Sequence, residues 1–150
     1  FNSKLTVVSS DMLIEGIHFD LSYFPLKHLG YKSVIVNLSD IYSMNANPSQ
    51  ILLNIALSSK FRSDAIHEFY EGVKIACDEY NIDLVGGDTS SSVSGMTISC
   101  TAIGSVDKKN ITRRGNSSLN FELELIFEAK IGLMVYFLGR CSCSSSALIL

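Results

Sequence analysis

The organisation of the chain is most legible in Ile82-Asp-Leu-Val-Gly-Gly-Asp-Thr-Ser-Ser-Ser92. An apolar run breaks off there into two glycines, an aspartate and four hydroxyl side chains. Ile82, Leu84 and Val85 predict a buried strand. Gly86 and Gly87 permit a sharp turn and a close approach of backbone to ligand, because neither carries a Cβ. Asp88 stands where the strand ends, and Thr89 to Ser92 add oxygens and backbone N–H groups. Oxygen ligands suit Mg²⁺ and N–H donors suit phosphates, so the segment fits a metal–phosphate site. The same residues also suit an ordinary turn.

Two further strands share the theme. Leu5-Thr-Val-Val-Ser-Ser-Asp11 is a β-branched run that is expected to stop at Ser9, Ser10 and Asp11. Met12 to Phe19 reads as a second extended segment turning at Glu15-Gly16. His18, between Ile17 and Phe19, is either a core or edge residue or a phosphate or substrate donor close to Asp11. Ser94-Gly95 marks a hairpin-like turn into a long strand, Met96 to Val106, in which Met96, Ile98, Cys100 and Ala102 alternate. A turn at Asp107-Lys-Lys-Asn110 leads on to Ile111-Thr-Arg-Arg-Gly115.

Between these strands lie two helical stretches and one more strand. Pro25 suits the first turn of a helix reaching about Asn45, where its missing N–H costs nothing. Leu26, Leu29, Ser33, Asn37, Asp40 and Met44 recur at steps of three and four, so Asn37 and Asp40 share a face. That face is either a solvent stripe or the place where a costly carboxylate is paired or metal-bound. Pro48 breaks the helix, and Gln50 to Leu57 reads as a continuous apolar strand. Ser63 is the expected N-cap of a helix from Asp64 to about Tyr80, with Ile66, Phe69, Tyr70, Val73 and Ala76–Cys77 as its apolar stripe. Tyr70 is a core residue whose hydroxyl can also reach a ligand, and His67 belongs to the surface. The order strand, helix, strand, helix, strand, strand predicts an α+β domain, a mixed β-sheet with two helices packed on one face.

Composition narrows the possible functions. At 47% hydrophobic, 150 residues suffice for one domain with a core. A net charge of −3 argues against a nucleic-acid binder, and the one basic cluster, Lys108, Lys109, Arg113 and Arg114, has no interleaved aromatics. It is a solvated loop or places one arginine on a phosphate. Cys77 and Cys100 read as small core residues, and Cys141-Ser-Cys143 lacks the second pair a zinc site needs. A reduced, cytoplasmic chain is expected. No apolar run approaches the roughly 20 residues of a membrane span, and no signal peptide is visible. Starting at Phe1 rather than Met, the chain reads as a piece of a longer protein. Residues beyond about Asn116 lose cap, turn and period, and end Ser/Cys-rich. Residues 117–150 are expected to be an atypical tail, read in a shifted frame or the truncated start of a C-terminal domain.

Asp11, Asp40 and Asp88 each follow an apolar segment. Brought to one rim of a sheet, three such carboxylates would hold Mg²⁺ ions whose shells nucleotide phosphates complete. Neither a Gly-X-X-X-X-Gly-Lys-Ser/Thr loop nor a kinase-type His-Arg-Asp occurs, so a phosphate site here must be built from carboxylates and metal.

Ser9-Ser-Asp-Met-Leu-Ile-Glu-Gly-Ile-His-Phe19, Tyr31-Lys32 with Val36-Asn-Leu-Ser-Asp40, Leu84-Val-Gly-Gly-Asp-Thr89 and Thr112-Arg113 resemble, in order and spacing, the thiamine-monophosphate kinases. The resemblance covers roughly residues 5–116. It implies that residues 1–116 are an ATP/Mg-binding N-terminal domain, incomplete at its start, of the type found in aminoimidazole ribonucleotide synthetase and selenophosphate synthetase. It also implies homodimers paired through this domain and ATP-dependent phosphorylation of thiamine monophosphate to thiamine diphosphate. The substrate's own phosphate attacks, so no protein nucleophile is implied. By the same resemblance Asp11, Asp40, Asp88, Ser9 and Ser10 are Mg²⁺ ligands, and His18 contacts substrate. Gly87, Asp88, Arg113 and Tyr70 serve ATP. A Gly-Asp-Asp metal loop before the first residue and a Gly-Asp-Leu-Gly segment after Gly115 are implied too, and neither is in the sequence. Two rivals stand beside this: a non-catalytic dimerising module that binds Mg–nucleotide, and another ATP-using enzyme of the superfamily. The His18 segment and the lack of a reactive N-terminal Cys or Lys motif favour the thiamine branch.

Overall fold

The structure, a computed structural model, describes residues 3–113 and 147–149. Its elements are β1 (Lys4–Ile14), α1 (Leu26–Ser43), β2 (Asn47–Leu57), α2 (Ser63–Tyr80), β3 (Asp83–Gly86), β4 (Thr89–Ser91), β5 (Met96–Asp107) and β6 (Ala147–Ile149). One mixed sheet runs β3-β2-β5-β1-β6, with β4 also on β2. The long pairs β1–β5 and β2–β5 are antiparallel, whereas β3 and β4 run parallel to β2 after the α2 crossover. The expected α+β architecture is therefore what forms.

Strand alternation fixes which side of the sheet is dry. Val7, Leu13, Ile51, Leu53, Ile55, Ile98, Cys100 and Ala102 are buried on the side that meets the helices. α1 lies across β1, β5 and β2, and α2 packs chiefly on α1. Their crossing is close because Gly30 faces the Phe69 carbonyl and Gly72 faces the Lys27 carbonyl, with no room for a Cβ at either glycine. Phe69, Leu29, Ile35, Leu38 and Ile41 fill the layer between, each fully or almost fully buried. Burial of such a side chain contributes roughly 1.5–3 kcal/mol, and it is this layer that holds the site's backbone in place.

Several boundaries differ from expectation. β1 does not stop at Ser9–Asp11 but continues to Ile14, so Met12 belongs to the same strand and no second extended segment follows. Partners on α1 take the Ser9 hydroxyl and the Asp11 N–H, and Thr101 on β5 pairs with the Ser10 hydroxyl. β2 begins at Asn47 and includes Pro48, around which its register with β5 shifts. Arg62, rather than Ser63, occupies the N-cap of α2, and no side chain caps there. β4 was not anticipated; its three hydroxyl residues pair with Ile55, Ala56 and Leu57. The tail expected over 117–150 lies outside the described residues except for β6, which pairs with Val7–Ser9 of β1. Among the described residues, no helix is long and apolar enough to cross a membrane.

Candidate functional site

Where β1 passes under α1, four polar residues meet. Ser9 is fully buried and donates its hydroxyl to Asp40 Oδ2 at 2.9 Å. The Asp11 backbone N–H donates to Asn37 Oδ1 at 3.1 Å. Asn37 is 1% exposed and donates its amide N–H to the Ser33 carbonyl at 3.2 Å, while Ser33 donates to the Gly30 carbonyl at 2.7 Å. The face carrying Ser33 and Asn37 is thus buried, and the solvent-stripe alternative does not hold for those two residues. Asn37 uses both ends of its amide to fix β1 against α1.

Asp11 is the group left under tension. Its Oδ2 is buried and has no hydrogen-bond partner. Burial raises the Asp11 carboxyl above its ordinary pKa, the nearby Asp40 raises it further, and His18 opposes both. Two neighbouring carboxylates and a hydroxyl form a hard-oxygen set with one lone-pair face unused. Mg²⁺ is typically held by one or two carboxylates, with waters and phosphate oxygens completing its shell, so these residues fit such an ion.

Period two separates Ser9 from its neighbour. Ser10 points to the opposite side of the sheet, where its hydroxyl lies 2.8 Å from Thr101 Oγ1. Expected beside Asp11 and Asp40 as a ligand, Ser10 is not brought to them within this chain.

At the end of β1 the chain folds back over residues 15–19. Gly16 N–H donates to the Phe19 carbonyl at 2.8 Å, and His18 N–H to the Ile14 carbonyl at 2.9 Å. His18 Nδ1 in turn accepts the Ile14 N–H at 3.1 Å, which puts the ring proton on Nε2. Lys32 Nζ donates to the His18 carbonyl at 3.3 Å. His18 is half-buried and close enough to Asp11 to act on its charge.

A second locus lies at the outer edge of β2. β3 pairs with β2 as far as Leu52↔Gly86, and β4 resumes at Ile55↔Thr89. In the gap, the Asp88 carbonyl accepts the Ile55 N–H at 2.9 Å. Gly87 has φ +153°, and a Cβ there would fall on the Leu53 carbonyl oxygen, so only glycine lets the chain hug the strand. Tyr70, Leu53 and the run from Leu84 to Thr89 line a cavity of about 310 Å³. The Tyr70 ring also meets Phe69 edge-on at 5.5 Å. Leu84 and Val85, expected to be buried, are 43% and 50% exposed because β3 is an edge strand.

The two loci do not merge into the single rim expected from the sequence. β2 and β5 stand between Asp88 and Asp11, a separation of three strand spacings, or about 14 Å. Among the described residues, no three His, Cys, Asp or Glu side chains are grouped to hold one metal ion. Arg113 is also apart: Thr112 N–H bonds the Met44 carbonyl at 3.1 Å, and the exposed Arg113 follows it beyond α1. The structure therefore joins Ser9, Asp11, Asp40 and His18 on one side and Tyr70, Gly87 and Asp88 on the other. The role of Asn37 as clamp was missed, though its four-residue step from Ser33 was visible.

A family model for AIR synthase related protein, N-terminal domain, matches residues 2–106. The chain is 36% identical over 102 residues to the thiamine-monophosphate kinase of Bacillus subtilis (strain 168), covering 68% of this chain and 31% of that protein. Among solved structures it resembles the thiamine-monophosphate kinase of Stenotrophomonas maltophilia K279a, with TM-score 0.68 and 33% identity over 75% of this chain and 34% of the other. It also resembles AaThiL complexed with AMPPCP and TMP, with TM-score 0.67 and 32% identity over 71% and 34%. The chain thus spans about a third of the length of these relatives.

Proposed function

Since the chain belongs to the AIR synthase related protein family through that family's N-terminal domain, we propose that it is part of an ATP-dependent kinase that converts thiamine monophosphate to thiamine diphosphate. The thiamine-monophosphate kinases among its relatives support this, as does a related structure holding AMPPCP and TMP. Within the chain, the observation that carries it is the buried Asp11 oxygen without a donor, set beside Asp40. A protein seldom leaves a carboxylate so placed unless a cation completes it.

In this proposal Asp11, Asp40 and Ser9 would hold one Mg²⁺, and Asp88, at the second locus, would hold another against the nucleotide phosphates. Mg²⁺ supplies charge neutralisation for the transferring phosphoryl group. Gly87 and Asp88 bring backbone close to the nucleotide phosphates, Tyr70 packs by the nucleotide and Arg113 pairs with a phosphate. His18 donates from Nε2 to thiamine monophosphate. The substrate phosphate is itself the nucleophile, so the protein binds, orients and excludes water without a covalent intermediate. A cytoplasmic homodimer belongs to the same proposal.

The test is ATP titration with and without Mg²⁺, followed by an assay of phosphate transfer. Asp88→Asn is expected to weaken Mg²⁺-dependent nucleotide binding by about tenfold, the worth of one charged contact, with folding nearly unchanged. Equal affinity in variant and parent removes Asp88 from the site. Binding without transfer under all conditions identifies a non-catalytic module instead.

A further inference from the structure

We propose that Glu15 is a positioning residue for His18, and that its carboxylate links the His18 turn to the turn that follows the Gly87–Asp88 segment. Glu15 continues the β1–β5 ladder by donating its N–H to the Met96 carbonyl at 3.0 Å. The reciprocal donor, Met96 N–H, goes to the Glu15 side chain, with Oε2 at 2.7 Å. A carboxylate thus takes the position that a backbone carbonyl holds in a continuing antiparallel ladder. The substitution ends strand pairing at one residue and lets the backbone turn at Gly16, which has φ +81°. The turn returns His18 to Ile14, where ring and backbone both bond the strand.

The same carboxylate leans on the second turn. A Cβ at Gly95 would come 2.9 Å from Glu15 Oε2, so the side chain lies directly over that residue. The Gly95 carbonyl accepts the Ser58 N–H at 3.0 Å, and Ser92 N–H bonds the Leu57 carbonyl at 2.8 Å. The chain leaving Gly87–Ser91 is therefore anchored on β2 and braced by Glu15. One side chain fixes the ends of β1 and β5 together, and with them the turns that lead to both loci. A charge-assisted bond to a backbone N–H is stronger than a neutral one, which suits this task.

The inference rests on the reading of His18 as a substrate contact, and the experiment separates the two. Glu15→Ala removes the acceptor, and Glu15→Gln keeps an acceptor oxygen at the same reach. Both are compared with the parent chain by amide exchange at Ile14 and Met96 and by the ¹⁵N resonances of the His18 ring. Glu15→Ala is expected to speed exchange at both amides about tenfold and to shift the Nδ1 resonance away from a single acceptor state. Glu15→Gln, whose amide oxygen makes a neutral bond at the same reach, is expected to fall between Glu15→Ala and the parent. Should Glu15→Ala fail to fold, Glu15→Asp, one methylene too short for Met96, is expected to show the same shifts. An unmoved His18 ring in a folded Glu15→Ala or Glu15→Asp chain overturns the proposal. Thiamine monophosphate affinity is then measured for the parent, His18→Ala and Glu15→Ala. Loss in both variants supports positioning. Loss in His18→Ala alone overturns it, and no loss in His18→Ala removes the substrate reading while the ring spectra still decide on Glu15.

Discussion

The Ser9 hydroxyl, fully buried under α1, donates to the Asp40 carboxylate 2.9 Å away. This one bond joins the middle of the strand to the last turns of the helix. It also turns Asp40 toward Asp11 despite their like charges. Ser9→Ala is expected to cost about 1.5–3 kcal/mol, the usual net worth of a hydrogen bond to a charged group. Urea unfolding measures it, and a stability equal to the parent's would show that Asp40 finds water as good a donor.

Asp11 gives a pH prediction with a definite sign. Its folded-state pKa lies above the ordinary 3.8, with burial as the largest cause and Asp40 the next. Between those two values the folded chain holds a proton that the unfolded chain has lost. Stability from this group is therefore greatest at low pH and falls as pH rises through the window. Asp11→Asn is expected to flatten that fall and to raise stability at neutral pH by less than about 1 kcal/mol, the effect being screened at a half-exposed group. Unfolding curves across the acidic range check it. Added Mg²⁺ is expected to stabilise the parent more than the variant.

The helix crossing leaves no slack. Gly30→Ala and Gly72→Ala each drive a methyl into the partner helix's backbone. Alanine gains roughly 0.5–1 kcal/mol as a better helix former than glycine. Overpacking costs about 1–3 kcal/mol and wins. Both variants are expected to melt below the parent, measured by circular dichroism, whereas Glu68→Ala on the exposed side of α2 is expected to stay close to it.

Cys100 is expected to be chemically silent while the chain is folded. It is 1% exposed, and burial pushes its thiol up to about 12. Iodoacetamide at mildly alkaline pH is expected to leave it untouched in the native chain and to alkylate it in urea. Peptide mass spectrometry reports the difference, and rapid native labelling would mean that β5 opens.

The parts of this fold legible in the sequence are those carried by period. Met96, Ile98, Cys100 and Ala102 gave β5 its dry side, and the stripe through Phe69, Val73 and Ala76 gave α2 its buried face. The ends of β1 were misjudged because Ser9, Ser10 and Asp11 look like the close of a strand. The two serine hydroxyls are answered by Asp40 and Thr101 and the Asp11 N–H by Asn37, partners 26 to 91 residues away. β4 has no apolar pattern and forms only because β2 offers an open edge. Asp40 comes close enough to Asp11 to act on its charge because α1 lies across β1. The placement of Asp88 depended on strand order in the sheet, which linear spacing does not encode.

The alternation along β1 also decides which genetic changes this segment can survive. Replacing one residue there alters one contact, but inserting or deleting one between Val7 and Asp11 rotates everything downstream by half a turn. Ser10 and Met12 would then be driven beneath α1, while Asp11 and Leu13 would swing out to the bare side. Variation among natural relatives should therefore run to substitutions in this strand, with changes of length confined to the loops around it.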